Sequence, residues 1–319
     1  MPKLFDSINI KNIKIKNRIV LPPLVRFSMV EKDGFVTDRV VEWYKDVCLG
    51  GTGLVIVEAS AVMEDGKLRA NQLGIWSDKF IPGLKKIADV CHECDVPVLI
   101  QLHHAGFKEG IKDVSEDSLD NILENFKTAF KRAKKAGFDG IEIHGAHTYL
   151  ISQLNSRLWN LREDKYGGTF EKRMYFSKKL IEETRELFND NFILGYRMGG
   201  NEPELKDGIE IAKYLENLGV DILHVSTGVP DPLIKEEKKI TSPENFPLDW
   251  VIYMGTEIKK SVNIPVIGVR KIKKESEASW LIENELLDFV AVGRAMLAKP
   301  NWAEVAKKEY EKRNEIKKP

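Results

Sequence analysis

The sequence predicts a (β/α)8 TIM barrel preceded by a β-hairpin, and three observations predict it. Eight short apolar runs recur along the chain, each followed by a polar loop and a segment of helical periodicity. Most of these runs are unbroken aliphatic or β-branched stretches, which is how strands read when both faces of a parallel sheet are buried. The length, 319 residues, suits one such barrel, whose usual size is about 250 residues plus insertions.

The elements follow in order. Residues 4–16 contain the alternation Asn-Ile-Lys-Asn-Ile-Lys-Ile and read as a hairpin ahead of the first barrel strand, placed to close the barrel's bottom. The strand windows are 18–22, 54–58, 96–102, 140–144, 192–197, 222–226, 265–268 and 289–293, several of them opened by Gly or Pro (Gly53, Pro97, Gly140, Pro265). Between them, 121–136 places Ile122, Phe126, Ala129, Phe130 and Ala133 on one stripe, with charged residues outside. Segments 170–188 and 209–218 behave similarly, and Gly137 and Gly219 stand where helices should stop. A doubly wound sheet is the alternative, but no Gly-x-Gly-x-x-Gly follows the first strand. No interior stretch has linker composition, so 1–319 reads as a single domain, with a lysine-rich end at 307–319.

Charge and cysteine content narrow the classes. The chain carries 49 basic and 49 acidic side chains, which removes any global electrostatic argument for nucleic acid or an anionic membrane as partner. No apolar run approaches the roughly 18–20 residues a membrane span needs, and the N-terminus lacks the apolar core and cleavage site of a signal peptide. Three cysteines make no disulfide framework, so a reducing cytoplasm is expected. Cys91-His-Glu-Cys94 is half of a metal or redox motif; with no second pair it reads as incidental.

In a parallel barrel the reactive groups lie at the C-terminal ends of the strands. His103, His104, His144, His147 and His224 all fall there, whereas His92 sits in a helical segment. The last two strands end in Gly268-Val269-Arg270 and Gly293-Arg294. Glycines that let backbone N–H groups approach, beside guanidinium charge, suit a phosphate, although tight turns with solvated arginines would look the same. His144, His147 and Tyr149 can share one cavity if the chain turns helically after the fourth strand. As metal ligands the histidines need a third partner, for which Glu58 is the nearest acidic candidate. As neutral donors they could polarise a carbonyl beside a protonated phenol. A purely structural pair remains a third reading.

The segment His144-Gly-Ala-His147-Thr-Tyr149-Leu-Ile, continuing to Asn160-Leu-Arg162-Glu-Asp164-Lys-Tyr166-Gly-Gly168 and Arg173, resembles the signature of the Old Yellow Enzyme family of FMN-dependent oxidoreductases. Leu4-Phe5, Asn17-Arg18-Ile19-Val20-Leu21-Pro22-Pro23, Glu58-Ala59, Gln101-Leu-His-His104-Ala-Gly106 and Val292-Gly293-Arg294 are similar too, in the family's motif order. The short bacterial and archaeal members related to xenobiotic reductases look closest. The resemblance implies FMN across the barrel mouth, its ring against Pro23, Leu24, Val25 and Ala59. Gln101 would meet the pyrimidine edge, and Arg197 would sit by N1. Gly268, Val269, Arg270, Gly293 and Arg294 would hold the phosphate. It implies NADH or NADPH as hydride donor and an activated alkene as small-molecule acceptor. His144 and His147 would bind the substrate oxygen, Tyr149 would protonate the α-carbon, and Phe27 would line the substrate side. No metal is implied, and a dimer or tetramer is. Four positions depart from many relatives: Val25 replaces Cys or Thr, Arg26 is unusual, Phe107 stands for Arg, and Arg270 for Gly. Valine cannot donate a hydrogen bond to the ring, so a lower flavin potential is expected than with Cys or Thr at position 25. A metal-dependent barrel lyase or isomerase using the histidine pair is the alternative, as is a flavin-binding protein without turnover.

Overall fold

Each of the eight apolar windows forms a strand, and the strands pair in chain order until the last meets the first. In the computed structural model, which describes residues 1–230 and 240–316, a two-stranded antiparallel hairpin, β1 (Ile8–Ile10) and β2 (Ile13–Ile15), precedes the barrel. The barrel strands are β3 (Ile19–Leu21), β4 (Leu54–Ala61), β5 (Val98–His103), β6 (Gly140–Gly145), β7 (Ile193–Gly199), β8 (Ile222–Ser226), β9 (Val266–Val269) and β10 (Phe289–Ala291). All neighbours run parallel, and β10 closes on β3.

Strand alternation sorts the side chains into two cores. Inside the barrel, Val20, Leu54, Ile56, Leu99, Ile193, Ile222, Ile267 and Phe289 form a lower aliphatic layer, and Ile10 and Ile15 of the hairpin press against it from below. The hairpin is pinned there by polar ties as well. Asn12 N–H donates to Asp190 O, and the Lys11 ammonium reaches Phe192 O and the Asp221 carboxylate. The bottom is therefore closed, as the alternating sequence implied. One strand position higher the interior turns polar, with Gln101, Glu142, Arg197 and His224 buried. The larger core lies between the strands and the helices around them.

The helices depart from expectation mainly at their ends. The 121–136 stripe belongs to a helix that starts at Glu116 and runs to Lys135, because Ser115 caps it by accepting the Ser118 N–H. The capped first turn is polar, so no apolar stripe announces it. The 209–218 helix is Leu205–Asn217, opened by a reciprocal cap between Glu204 and Asp207. Segment 170–188 is not one helix but Phe170–Arg173, Tyr175–Glu183 and a tight turn at Arg185–Leu187. The first break lets Arg173 turn inward to donate to Asn155 O and Gly168 O. The lysine-rich end continues as a helix to Ile316, and 317–319 lie outside the described residues. Cys91 is buried with its Sγ 3.4 Å from Cys48 Sγ, between the helices Asp38–Leu49 and Ile81–His92. Among the described residues no helix is long and apolar enough to cross a membrane.

Candidate active site

The rim is built around a strained turn after β6. His147 and Thr148 have φ of 62° and 59°, in the left-handed region that a β-branched threonine strongly disfavours. The helix Leu150–Asn155 begins only afterwards, with Tyr149 as its N-cap. The histidines thus meet through a left-handed turn, not the helical turn expected from their spacing. Such backbone costs on the order of 1–3 kcal/mol per residue and persists where the surroundings impose it. Here His147 N–H donates to Thr227 O at 3.0 Å, and Thr148 N–H donates to Ser152 Oγ at 3.2 Å.

The turn brings three reactive groups together. His147 Nδ1 lies 3.3 Å from His144 Nε2, and its Nε2 lies 2.7 Å from Ser226 Oγ at the end of β8. The Tyr149 ring packs edge-on to His144 and to His103, with centroids 5.0 and 4.6 Å apart. Burial is the main reason both His144 and His147 are held well below the ordinary imidazole range, with neighbouring imidazole and Arg197 charge adding to it. Both are therefore neutral at pH 7. Ala146 N–H points at His144 Nδ1 (3.4 Å), which leaves the proton of that ring on Nε2. Burial also raises the Tyr149 phenol, keeping it protonated at neutral pH. Ser226, which sequence pattern did not single out, accepts from Arg197 Nη2 at 3.3 Å while meeting His147. A lone serine closing an apolar strand gives no signal in the sequence.

A cavity of about 760 Å³ opens from this rim along β9 and β10, walled by Pro22, Leu24, His147, Arg197, Ser226, Val269, Arg270, Gly293 and Arg294 among others. A neighbouring hollow of about 210 Å³ is walled by Pro23, Val25, Ala59, Gln101, His103, His144 and Tyr149, and shares His147 and Arg197 with it. Arg197 Nε and both His103 ring nitrogens are buried without a hydrogen-bond partner. A Cβ on Gly293 would stand 3.3 Å from both Pro22 and Leu24, so that wall is already narrow. Unmet donors, a small Ala59 and a cationic far end fit a planar, phosphorylated group such as FMN.

Several expected residues are placed elsewhere. A side chain on Gly268 would overlap Leu287 in the segment leading into β10, so this glycine serves packing behind the strand and is not in the cavity wall. Phe27 is also outside both walls; the Arg69 guanidinium stacks on its ring at 4.9 Å. Arg26 is half-buried: its guanidinium lies over Trp43 at 4.3 Å, and its backbone N–H donates to Glu58 Oε2. The Glu58 carboxylate is thereby turned away from the histidine pair. Among the described residues no three His, Cys, Asp or Glu side chains are placed to hold a metal ion, so the metal-ligand reading lacks its third ligand. His104 faces the loop at Gly66 and Phe107, where its Nδ1 accepts the Gly106 N–H.

Fold and site together define a class, the barrel oxidoreductases that hold a phosphorylated planar coenzyme at their strand ends. The chain belongs to the NADH:flavin oxidoreductase / NADH oxidase family, which it matches over residues 3–114 and 107–313. It is 37% identical, over 99% of its length, to an NADH oxidase of Thermoanaerobacter brockii, and spans about half (52%) of that relative. It is 34% identical, over 97% of its length, to an NADPH dehydrogenase of Listeria monocytogenes serotype 4b (strain CLIP80459), of which it covers 95%. An old yellow enzyme homologue from Zymomonas mobilis shares the fold, with a TM-score of 0.80 at 23% identity over 98% of this chain and 93% of that one. The resemblance read from the sequence therefore holds. The protein is an NAD(P)H-dependent flavin oxidoreductase with FMN as cofactor.

Proposed function

We propose that the protein is an ene-reductase acting on small activated alkenes such as enones. The observation that carries this is the convergence of two neutral imidazoles and a protonated phenol on one rim, His144 Nε2 and His147 Nδ1 being 3.3 Å apart beside Tyr149. Bound FMN supplies the hydride chemistry, taken from NADH or NADPH in one half-reaction and delivered to the alkene β-carbon in the other. Pro23, Leu24, Val25, Ala59 and Gln101 would hold its ring, and Val269, Arg270, Gly293 and Arg294 its phosphate.

His144 and His147 bind the substrate's carbonyl or nitro oxygen. Negative charge grows on that oxygen as the alkene is reduced, so these donors hold the transition state more strongly than the ground state. Ser226 has a hydroxyl that can donate to His147 Nε2, because Arg197 already supplies the hydrogen bond that it accepts. In that state His147 carries its proton on Nδ1, beside the Nε2–H of His144, and one oxygen can take both. Tyr149 protonates the α-carbon, and the charges of Arg197 and Arg69 favour the phenolate that remains.

Tyr149→Phe tests the reading in two anaerobic half-reactions. Bleaching of the flavin by NAD(P)H should match wild type, while reoxidation by 2-cyclohexenone should slow by about 10²–10⁴, the usual worth of a positioned proton donor. Unchanged reoxidation would remove Tyr149 from the role, and a wild type that reduces no enone would remove the function.

A further inference from the structure

We propose that Glu142 is a positioning residue for the flavin, one that aims Gln101 at the ring and offsets the charge Arg197 presents to it. The inference rests on the FMN reading above. Glu142 and His144 share the inward face of β6, and Glu142 is the lower of the two. It pairs in register with Gln101 on β5 and Gly195 on β7, and is 1% exposed.

Gly195 keeps the neighbouring position on β7 small. A Cβ there would be tight only against Ile141 O, at 3.0 Å, and would touch Glu142 Cβ at an ordinary 3.6 Å. Glu142 Oε2 reaches His224 Nδ1 on β8 at 2.8 Å, while Oε1 takes Gln101 Nε2 at 2.7 Å. One side chain thus ties β5 to β8 through the barrel's centre. A carboxylate only accepts, so Gln101 must turn its NH₂ toward Glu142. Its Oε1 is left to face the cavity as an acceptor for a ring N–H.

Arg197 stands two residues beyond Gly195 on the same inward face of β7. Its Nη2 is given to Ser226, its Nε has no partner, and no carboxylate pairs with it among the described residues. Glu142 acts on it through space, as a negative charge in the layer beneath. The positive potential at the cavity floor is therefore that of Arg197 reduced by Glu142. An anionic reduced flavin would be held less strongly against the oxidised form than Arg197 alone would hold it.

The test uses the FMN-loaded protein and measures the midpoint potential against a reference dye, together with the FMN dissociation constant. Glu142→Gln removes the charge. It should favour reduced over oxidised FMN by about tenfold, an upward shift of about 30 mV for a two-electron couple. Glu142→Asp keeps the charge but shortens the reach, so the potential should stay near wild type while FMN binds several-fold more weakly. An unshifted potential in flavin-loaded Glu142→Gln overturns the charge-offset role. Should Glu142→Gln fail to fold, a Glu142→Asp protein that matches wild type in both measurements overturns the positioning role. A wild type that binds no FMN would bring down the flavin reading itself, and this proposal with it.

Discussion

Arg270 shows how far one residue can be asked to serve two ends. It follows β9 with φ of 149°, where a side chain is strained. It also walls the cationic end of the cavity, within 3.8 Å of Asp249. Arg270→Gly should therefore act in opposite directions. Relief of about 2 kcal/mol of strain, set against about 1 kcal/mol of glycine entropy, should raise the stability of the flavin-free protein by about 1 kcal/mol, while loss of a charged donor should weaken FMN by about tenfold. Thermal melts without flavin and quenching titrations with it would measure the two effects separately. At this scale the sequence was informative for groups whose chemistry is uncommon at strand ends. His144, His147, Tyr149, Arg197 and Arg294 could be nominated from position alone. Gly268 could not be judged, because one residue of register separates a glycine facing the cavity from one facing Leu287. Ser226 and the Glu142 tie were invisible because their meaning lies in partners far away in the chain.

At the scale of elements, strands were far easier to read than turns. A strand buried on both faces is apolar over most of its length, which is why the eight windows stand out in the sequence. Caps and breaks depend on single hydrogen bonds, which explains the early start at Glu116 and the break after Arg173. The left-handed pair His147–Thr148 is the extreme case, since a β-branched threonine does not ask for that conformation. Thr148→Gly should leave Tm close to wild type, because relief of strain of about 1 kcal/mol is set against a similar entropy cost for glycine. The looser turn should raise the KM for an enone by about fivefold, the equivalent of one neutral hydrogen bond of about 1 kcal/mol. Steady-state kinetics beside a melting curve checks this. A large fall in Tm with KM unchanged would mean that the turn is unstrained and does not hold His147.

Over the whole molecule, buried titratable side chains govern the response to pH. Burial holds His103 down to about 3 and His104 down to about 4, and it depresses His144, His147 and His224 as well. Unfolded, each would take up a proton near pH 6.5. The unfolded state therefore gains protons over the folded one as pH falls below 6.5, and stability drops. Glu58 and Glu202 act in the opposite sense. Burial raises them to about 7 and about 8, so their contribution is complete below about pH 4.5 and lost as pH rises through 7–8. Five histidines outweigh two carboxylates between pH 4.5 and 6.5, and only the carboxylates act above it. Calorimetry of the FMN-loaded protein should find the highest Tm near pH 6.5, with the steeper decline on the acid side. A Tm still climbing between pH 6.5 and 8 would contradict this balance. Among the described residues, the hairpin wedged beneath the lower aliphatic layer stops the barrel from below. On the proposed reading, nicotinamide and alkene would then queue at the same upper mouth, each departing before the other is admitted, and a crowd of either one would delay its counterpart.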